Sequence, residues 1–365
     1  MNLRGFKNAG SRRKAIEGKL KIDLKNIGFP RNCENVIGVT QVPLGIAGPI
    51  RINKKDYFIP LATTEGVLVA SINRGCKAIS LSGGCLSEAE RVGATRGPVF
   101  KIKSLGGRKE FERFLKTNFG EMKRIAAKTN RHLALKDFKT VSFGKIFYIR
   151  FIFDTQDAMG MNMVTIATEK VSKFIEKKAR VECLSLSGNY CVDKKPSWLN
   201  FTQGRGFKVW SEVTLSKNVL RTVLKTSARR LYDVWLSKCV LGSAASGSLG
   251  FNAQYANIIA AVFIATGQDP AHVVEGSLGI TTTEVVNEDL YVSTYLPDLM
   301  VGTVGGGTGL PTQKEALSIL GVRKSGELAE VVGGATLAGE ISLLASLSEG
   351  SLARAHEALA GKNEP

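Results

Sequence analysis

Between residues 98 and 187 the apolar positions change period in a regular order. Alternation predicts a strand at Val99–Ile102, then helical spacing over Arg108–Lys128, two strands at Leu133–Thr140 and Lys145–Asp154, a helix over Met159–Lys178 and a strand at Val181–Ser187. Val164, Ala167, Val171 and Phe174 fall at i, i+3, i+7 and i+10, a spacing that lines one helix face for packing on a sheet. The order β-α-β-β-α-β is that of a split, ferredoxin-like unit.

The chain around this unit reads differently. Residues 1–97 and 188–365 are expected to form one larger, helix-rich domain, with residues 1–30 as an N-terminal helical segment and 98–187 inserted as the smaller domain. Gly97-Pro98 and Gly188-Asn189 are the expected crossing points. Residues 328–360 are mostly helix formers, with Gly333, Gly334 and Gly339 allowing close packing and Gly350 permitting a break. The fold class is therefore α+β.

Composition narrows the function. With 365 residues, 44% hydrophobic and 22% charged, the chain is an ordinary globular sequence long enough for two domains. The longest nearly uncharged apolar run, Ile258 to Gly267, is too short to span a bilayer, and residues 1–25 lack the apolar core of a signal peptide, so a cytoplasmic protein is expected. Six cysteines without a C-x-x-C pair and three histidines without paired spacing leave no expected metal site.

The net charge is +18 and uneven: residues 101–150 carry 14 basic and 4 acidic side chains, whereas 241–320 carry one basic and seven acidic. A nucleic-acid reading would need aromatics interleaved with Arg, or a binding motif, and neither occurs. Phe111, Phe114 and Phe119 read instead as the inner face of an amphipathic helix. The charges read as its solvated face, with a phosphate-rich soluble ligand as the second reading.

Several segments carry candidate chemistry. Asp157-Ala158-Met159-Gly160-Met161-Asn162-Met163 precedes a helix whose amino-terminal NH groups favour anions. Gly305-Gly306-Gly307 lets backbone approach a ligand closely. Glu65 in TTEG stands before an apolar run, where burial would raise a carboxyl pKa and make it a proton donor. Asp193-Lys194-Lys195 lies in a polar loop in which a lysine can meet a developing oxyanion. Asp269 follows the long apolar segment, and His356 stands in the last helical stretch.

The ordered set ENVIG (34–38), PLGIAGPI (43–50), TTEG (63–66), NRGC (73–76), TRGP (95–98), DAMGMNM (157–163), SGNYCVDKKP (187–196), GRG (204–206), GQDPA (267–271), GTVGGGT (302–308), LAGE (337–340) and a late His356 resembles the catalytic portion of 3-hydroxy-3-methylglutaryl-coenzyme A reductases, class I, of the soluble archaeal type. The resemblance implies NADPH-dependent, four-electron reduction of hydroxymethylglutaryl-coenzyme A to mevalonate and coenzyme A. It implies Glu65, Lys194, Asp269 and His356 as catalytic: Glu65 and Asp269 as acids, Lys194 as the cation on the oxygen, His356 as proton donor to the departing thiolate. It implies Arg96, Ser187, Asp193, Lys195, Lys238 and Asn257 around the acyl group, and Asn73 and Arg74 on coenzyme A. Arg131, Asp157, Met159, Gly160, Met161, Asn162, Gly306 and Gly307 are implied for NADP(H), with Arg131 on the 2′-phosphate. It further implies an obligate homo-oligomer whose site is built from two subunits, with no membrane or nucleic-acid partner.

Departures from the family pattern stand at Gly250, alone where a glycine pair is usual, at Trp198, where a small residue is usual, and at Ser351 and Ala355. Two other readings compete: a non-catalytic acyl-coenzyme A binding relative, or a reductase of another acyl group, and a basic nucleic-acid-binding protein. Retention of all four ionisable catalytic positions argues for the reductase.

Overall fold

The computed structural model describes residues 34–350 together with 8, 10, 11 and 14. The expected helical segment 1–30 lies largely outside the described residues, and His356, Ser351 and Ala355 lie wholly outside them. Residues up to Leu44 form one unit and the chain from Gly45 another, and the second holds the large sheet and both apolar cores.

Strands β1 (Leu44–Ile52) and β2 (Lys55–Ala62) pair as a hairpin ahead of a helix at Gly66–Leu81. β3 (Leu86–Arg96), β4 (Val99–Lys101), β5 (Ala134–Phe143), β6 (Ile146–Asp154), β7 (Glu182–Ser185), β8 (Arg205–Leu215), β9 (Ile280–Val286) and β10 (Asp289–Leu299) form an eight-stranded sheet in the order β7-β4-β6-β3-β8-β10-β9, with β5 on β6. Its ladders are antiparallel.

The sheet does not stop at Gly97-Pro98. β3 pairs with β8 up to Gly93, then its last residues Ala94–Arg96 and β4 run along β6 in one register, with the Pro98 carbonyl accepting from Ile149 N at 3.0 Å. The transfer occurs at Gly93, where φ is +110° and a Cβ would come within 2.5 Å of the Phe153 carbonyl. Only glycine fits that crossing.

Two apolar clusters result. Phe100, Phe111, Leu115, Met122, Phe147, Phe151, Val164, Ala167 and Val171 pack the helices of residues 107–179 on β4 and β6. The expected single helix over 108–128 is two, Gly107–Thr117 and Phe119–Ala127. Asn118 divides them: its side-chain amide donates to the Phe114 carbonyl at 2.9 Å, the local competition with helix bonding that asparagine offers.

The second cluster centres on the 25-residue helix Ser325–Glu349, which is buried around most of its circumference. Its length and composition would suit a bilayer, but here it is a core helix. Small residues make that possible. A Cβ on Gly75 of the Gly66–Leu81 helix would fall 1.9 Å from the Ala338 carbonyl, and one on Gly339 would fall 2.4 Å from Ile258. The helix ends at Gly350, with φ +72°.

Candidate active site

The 187–196 loop and the turn after the helix Tyr255–Thr266 bring Lys194 and Asp269 together. Lys194 Nζ lies 2.7 Å from Asp269 Oδ2, both side chains partly exposed. Asp269 is also the cap of the short turn Pro270–His272, accepting from Ala271 N at 3.0 Å. Partial burial works to raise its pKa, but the Lys194 ammonium, the Ala271 amide and His272 outweigh it, so the carboxyl sits below the usual aspartate range. The sequence suggests a carboxylate alone in an apolar region; the structure gives it a cation.

Behind the pair lies a buried charge cluster. Arg205, fully buried at the start of β8, donates from Nη1 to Glu275 Oε1 at 2.7 Å, from Nη2 to Asp193 Oδ1 at 2.8 Å and from Nε to Thr95 Oγ1 at 3.0 Å. Glu275 Oε1 also accepts the Lys194 backbone NH at 3.0 Å. That bond helps hold Lys194 in the left-handed region, φ +58°, a conformation a lysine adopts only when its surroundings compel it. Asp193 further meets Arg96 at 3.5 Å. Asn200 takes Arg150 Nη2 at 2.9 Å and donates to Asp298 at 2.5 Å. Burial pushes the Asp298 carboxyl up to about 8, against the opposing charge of Arg205. Arg205, Glu275, His272, Asp298, Arg150 and Asn200 are not singled out by the sequence. Of these, only Arg205, between two glycines in GRG, sits within a motif that could draw attention to it.

Next to this loop, a cavity of about 880 Å³ is lined by Pro196, Lys238, Ser243, Asn252, Gln254 and Ser277, among others. Lys238 stands on a π-helical turn, Leu236–Gly242, an irregularity that recurs at functional sites. Gly250 lies in the cavity wall, and Asn257 is exposed on the first turn of the adjoining helix. Glu340, buried, fixes the other side by accepting the Ala253 and Gln254 amides at 2.8 and 2.6 Å and the Thr281 hydroxyl at 2.7 Å. Burial raises its pKa. Ser187 is half-buried with Oγ 3.5 Å from Cys191 Sγ, Lys195 is exposed, and Trp198 is exposed with its ring on Phe201.

The glycine loop and the 157–163 loop meet the same centre. Gln268, one residue before Asp269, clamps Gly302 in both directions, Nε2 to the carbonyl at 3.0 Å and the Gly302 NH to Oε1 at 2.9 Å. Gly267 and Gly307 touch backbone to backbone; a Cβ on Gly267, whose φ is +71°, would lie 2.3 Å from the Gly307 carbonyl. The Asp157 carbonyl accepts from Thr303 N at 2.8 Å, so the segments 157–163, 302–308 and 267–269 lie side by side. Gly160 caps the helix Met161–Ala179 with φ +83°, no acidic residue stands in its first turn, and Asn162 is exposed. Gly306 meets no atom where a Cβ would be. Such a bare, amide-lined corner at a helix start suits a phosphate-bearing ligand. Met161 Sδ sits 3.2 Å from Arg205 Nη2, and Met159 packs on the smaller core. Arg131 reaches the same region through His132, whose other ring nitrogen is 2.9 Å from Gln156 Oε1.

Some expected contacts are otherwise engaged. The Asp157 carboxylate accepts Ser325 N at 2.9 Å, holding the start of the core helix, and is thus a cap as well as a candidate ligand. Asn73 takes the Gly48 NH at 2.9 Å. Arg74 bonds Ser342, Ser346 and Glu349. Glu65 is a correction: its side chain is exposed at the start of the Gly66–Leu81 helix rather than buried, and no hydrogen bond among the described residues joins it to Lys194 or Asp269.

Comparison with known proteins gives the family and the fold. Residues 9–361 match the family model for hydroxymethylglutaryl-coenzyme A reductase. The 3-hydroxy-3-methylglutaryl-coenzyme A reductase of Pyrococcus abyssi is 48% identical over 95% of this chain and 91% of that protein, and that of Methanocaldococcus jannaschii 47% identical over the same shares. A class II 3-hydroxy-3-methylglutaryl-CoA reductase from Streptococcus pneumoniae, solved bound to NADPH, superposes with a TM-score of 0.72 at 20% identity, covering 95% of this chain and 99% of that one, a likeness of fold.

Proposed function

The chain belongs to the hydroxymethylglutaryl-coenzyme A reductase family and reduces hydroxymethylglutaryl-coenzyme A to mevalonate; we propose that it does so with NADPH, at the Lys194–Asp269 pair. The observation that carries this reading is the 2.7 Å ion pair standing where the amide-lined corner of residues 157–163 and 302–308 meets the Lys238 cavity.

NADPH supplies the hydride. The chain does the rest. The ammonium of Lys194, held in place through its own backbone, stabilises the oxygen on which negative charge develops. Arg96 takes the terminal carboxylate, with Ser187, Asp193, Lys195, Lys238 and Asn257 around the acyl group and Asn73 and Arg74 on coenzyme A. Arg131, Asp157, Met159, Gly160, Met161, Asn162, Gly306 and Gly307 hold the dinucleotide, Arg131 on its 2′-phosphate, which favours NADPH over NADH. His356 protonates the leaving thiolate, a task that suits an imidazole near neutral pH.

The small domain is an inserted ferredoxin-like unit over residues 98–187. The antiparallel order β7-β4-β6-β5 supports this, as does the 2.7 Å bond from Gly188 N to the Gly97 carbonyl at the two crossing points. The enzyme is a class I, cytoplasmic, obligate homo-oligomer. The exposure of Glu65 supports a site completed by a second copy, because a carboxyl meant to donate a proton needs the burial that one chain does not give it. The test is cofactor oxidation: NADPH absorbance falls on adding hydroxymethylglutaryl-coenzyme A and not acetyl-coenzyme A, and more slowly with NADH. Oxidation with either thioester alike, or with neither, refutes the reading.

A further inference from the structure

The loop that carries Lys194 holds three non-glycine residues with positive φ: Asn189 at +62°, Val192 at +48° and Lys194 at +58°. Asparagine tolerates this region, but a β-branched valine hardly ever enters it. Such a conformation persists only where the surroundings over-determine it. Here they can be followed bond by bond. The Cys191 carbonyl accepts from Thr95 Oγ1 at 2.8 Å, the Val192 carbonyl accepts from Asn200 Nδ2 at 3.0 Å, and the Lys194 NH donates to Glu275 Oε1 at 3.0 Å. The three partners are fully buried and come from separate elements: β3, the helix Trp198–Gln203 and the short helix Val273–Gly276. None of these bonds uses the Lys194 side chain, which is left to face Asp269.

Thr95 and Glu275 also bond Arg205, so each belongs to the charge cluster as much as to the loop. Asn200 bonds Arg150 and Asp298 instead, and its side chain is fully committed: Oδ1 takes Arg150 Nη2 at 2.9 Å, and Nδ2 serves both the Val192 carbonyl and Asp298 Oδ2 at 2.5 Å. An aspartate of the same shape would set an oxygen against those two acceptors, so the amide and not its isosteric acid satisfies both sides.

We propose that Asn200 is a positioning residue for the reduction: through the Val192 carbonyl it holds the strained loop in the conformation that sets Lys194 Nζ against Asp269 before substrate arrives. The inference rests on the reductase reading. Without the amide, the Val192 carbonyl loses its donor, and the backbone relieves its strain by turning Val192 to negative φ. Two residues on, that rotation takes the Lys194 NH off Glu275 and its ammonium away from Asp269. What is lost is the placing of a cation in advance of the charge it must meet.

Asn200→Ala is expected to lower kcat roughly 10- to 100-fold, the cost of misplacing a catalytic group by about an ångström. The NADPH KM should stay nearly unchanged, because residues 157–163 and 302–308 are held by bonds of their own. Adding Val192→Gly should recover part of the lost kcat, since glycine takes positive φ as readily as negative and has no strain to release. A merely structural asparagine would not be rescued in this way: Val192 is buried, and deleting its side chain only weakens the core further. Wild-type kcat in Asn200→Ala, or a double variant slower still, overturns the proposal. Hydrogen exchange of the full wild-type chain without ligands needs no variant. The Lys194 amide is expected to exchange within the slow range of the buried β8 amides, and exchange at open-loop rates overturns the clamp even if Asn200→Ala fails to fold. An inactive wild type would instead refute the reductase reading, and the exchange result would still decide the clamp.

Discussion

Replacing Lys194 with Ala removes the cation 2.7 Å from Asp269 and leaves its neighbours in place. Two magnitudes separate a catalytic role from a structural one. Both side chains are partly exposed, 40% for Lys194 and 31% for Asp269, so solvent screens the pair and its loss should cost at most about 1 kcal/mol of stability. The backbone bond from Lys194 N to Glu275 does not depend on the side chain and should survive. Against this, removing a preorganised oxyanion stabiliser costs roughly 3–4 kcal/mol, or about 10²–10³ in kcat. Lys194→Ala should therefore melt within a few degrees of wild type and turn over at least about 100-fold more slowly. Parallel thermal melts and NADPH oxidation at saturating thioester decide the matter. Wild-type kcat would refute the role of Lys194, and a collapse of melting temperature matching the loss of activity would show that the lysine is mainly structural.

Asp298→Asn tests the buried carboxyl. With its folded pKa raised to about 8, Asp298 binds its proton more tightly folded than unfolded, so its contribution is full below the ordinary aspartate range and is lost as pH rises toward 8. The variant keeps the amide of Asn200 within reach and lacks that titration, so its melting temperature relative to wild type should climb from pH 5 to about 8 and then level off; a constant difference would contradict the shift. Gly267→Ala forces a side chain into a positive-φ site against the Gly307 carbonyl, which should cost about 1–3 kcal/mol and, by shifting Asp269, lower kcat as well; unchanged melting and turnover would show the contact to be soft. Glu65→Gln and Lys194→Ala chains, each inactive alone, should recover about a quarter of wild-type activity after equal mixing and subunit exchange if each site takes one residue from each copy; no recovery would put both residues in one chain.

What the sequence makes legible is what has a local pattern. The strand and helix order of residues 98–187 follows from period alone, and Lys194 and Asp269 can be paired as candidates through the motifs around them. The cluster beneath them cannot. Arg205, Glu275 and Asp298 are charges far apart in the chain that become mutually necessary only when buried together, and nothing in the residues around Glu275 announces that its oxygen will receive a guanidinium, an imidazole and an amide. The burial expected around Glu65 is what the single chain does not supply. An apolar run follows it, but the helix turns that run inward and leaves the carboxyl outside. Gly97-Pro98, read as a crossing point, leaves the register along β6 unbroken, because proline gives up only a donor and Ile149 needs its carbonyl.

Complete reduction of the thioester consumes two hydrides per molecule. Counting NADPH oxidised against mevalonate and free coenzyme A formed from hydroxymethylglutaryl-coenzyme A therefore probes the whole account at once: two NADPH for each mevalonate and each coenzyme A is the result it predicts. One NADPH per coenzyme A with an aldehyde left behind, or no mevalonate at all, would contradict it.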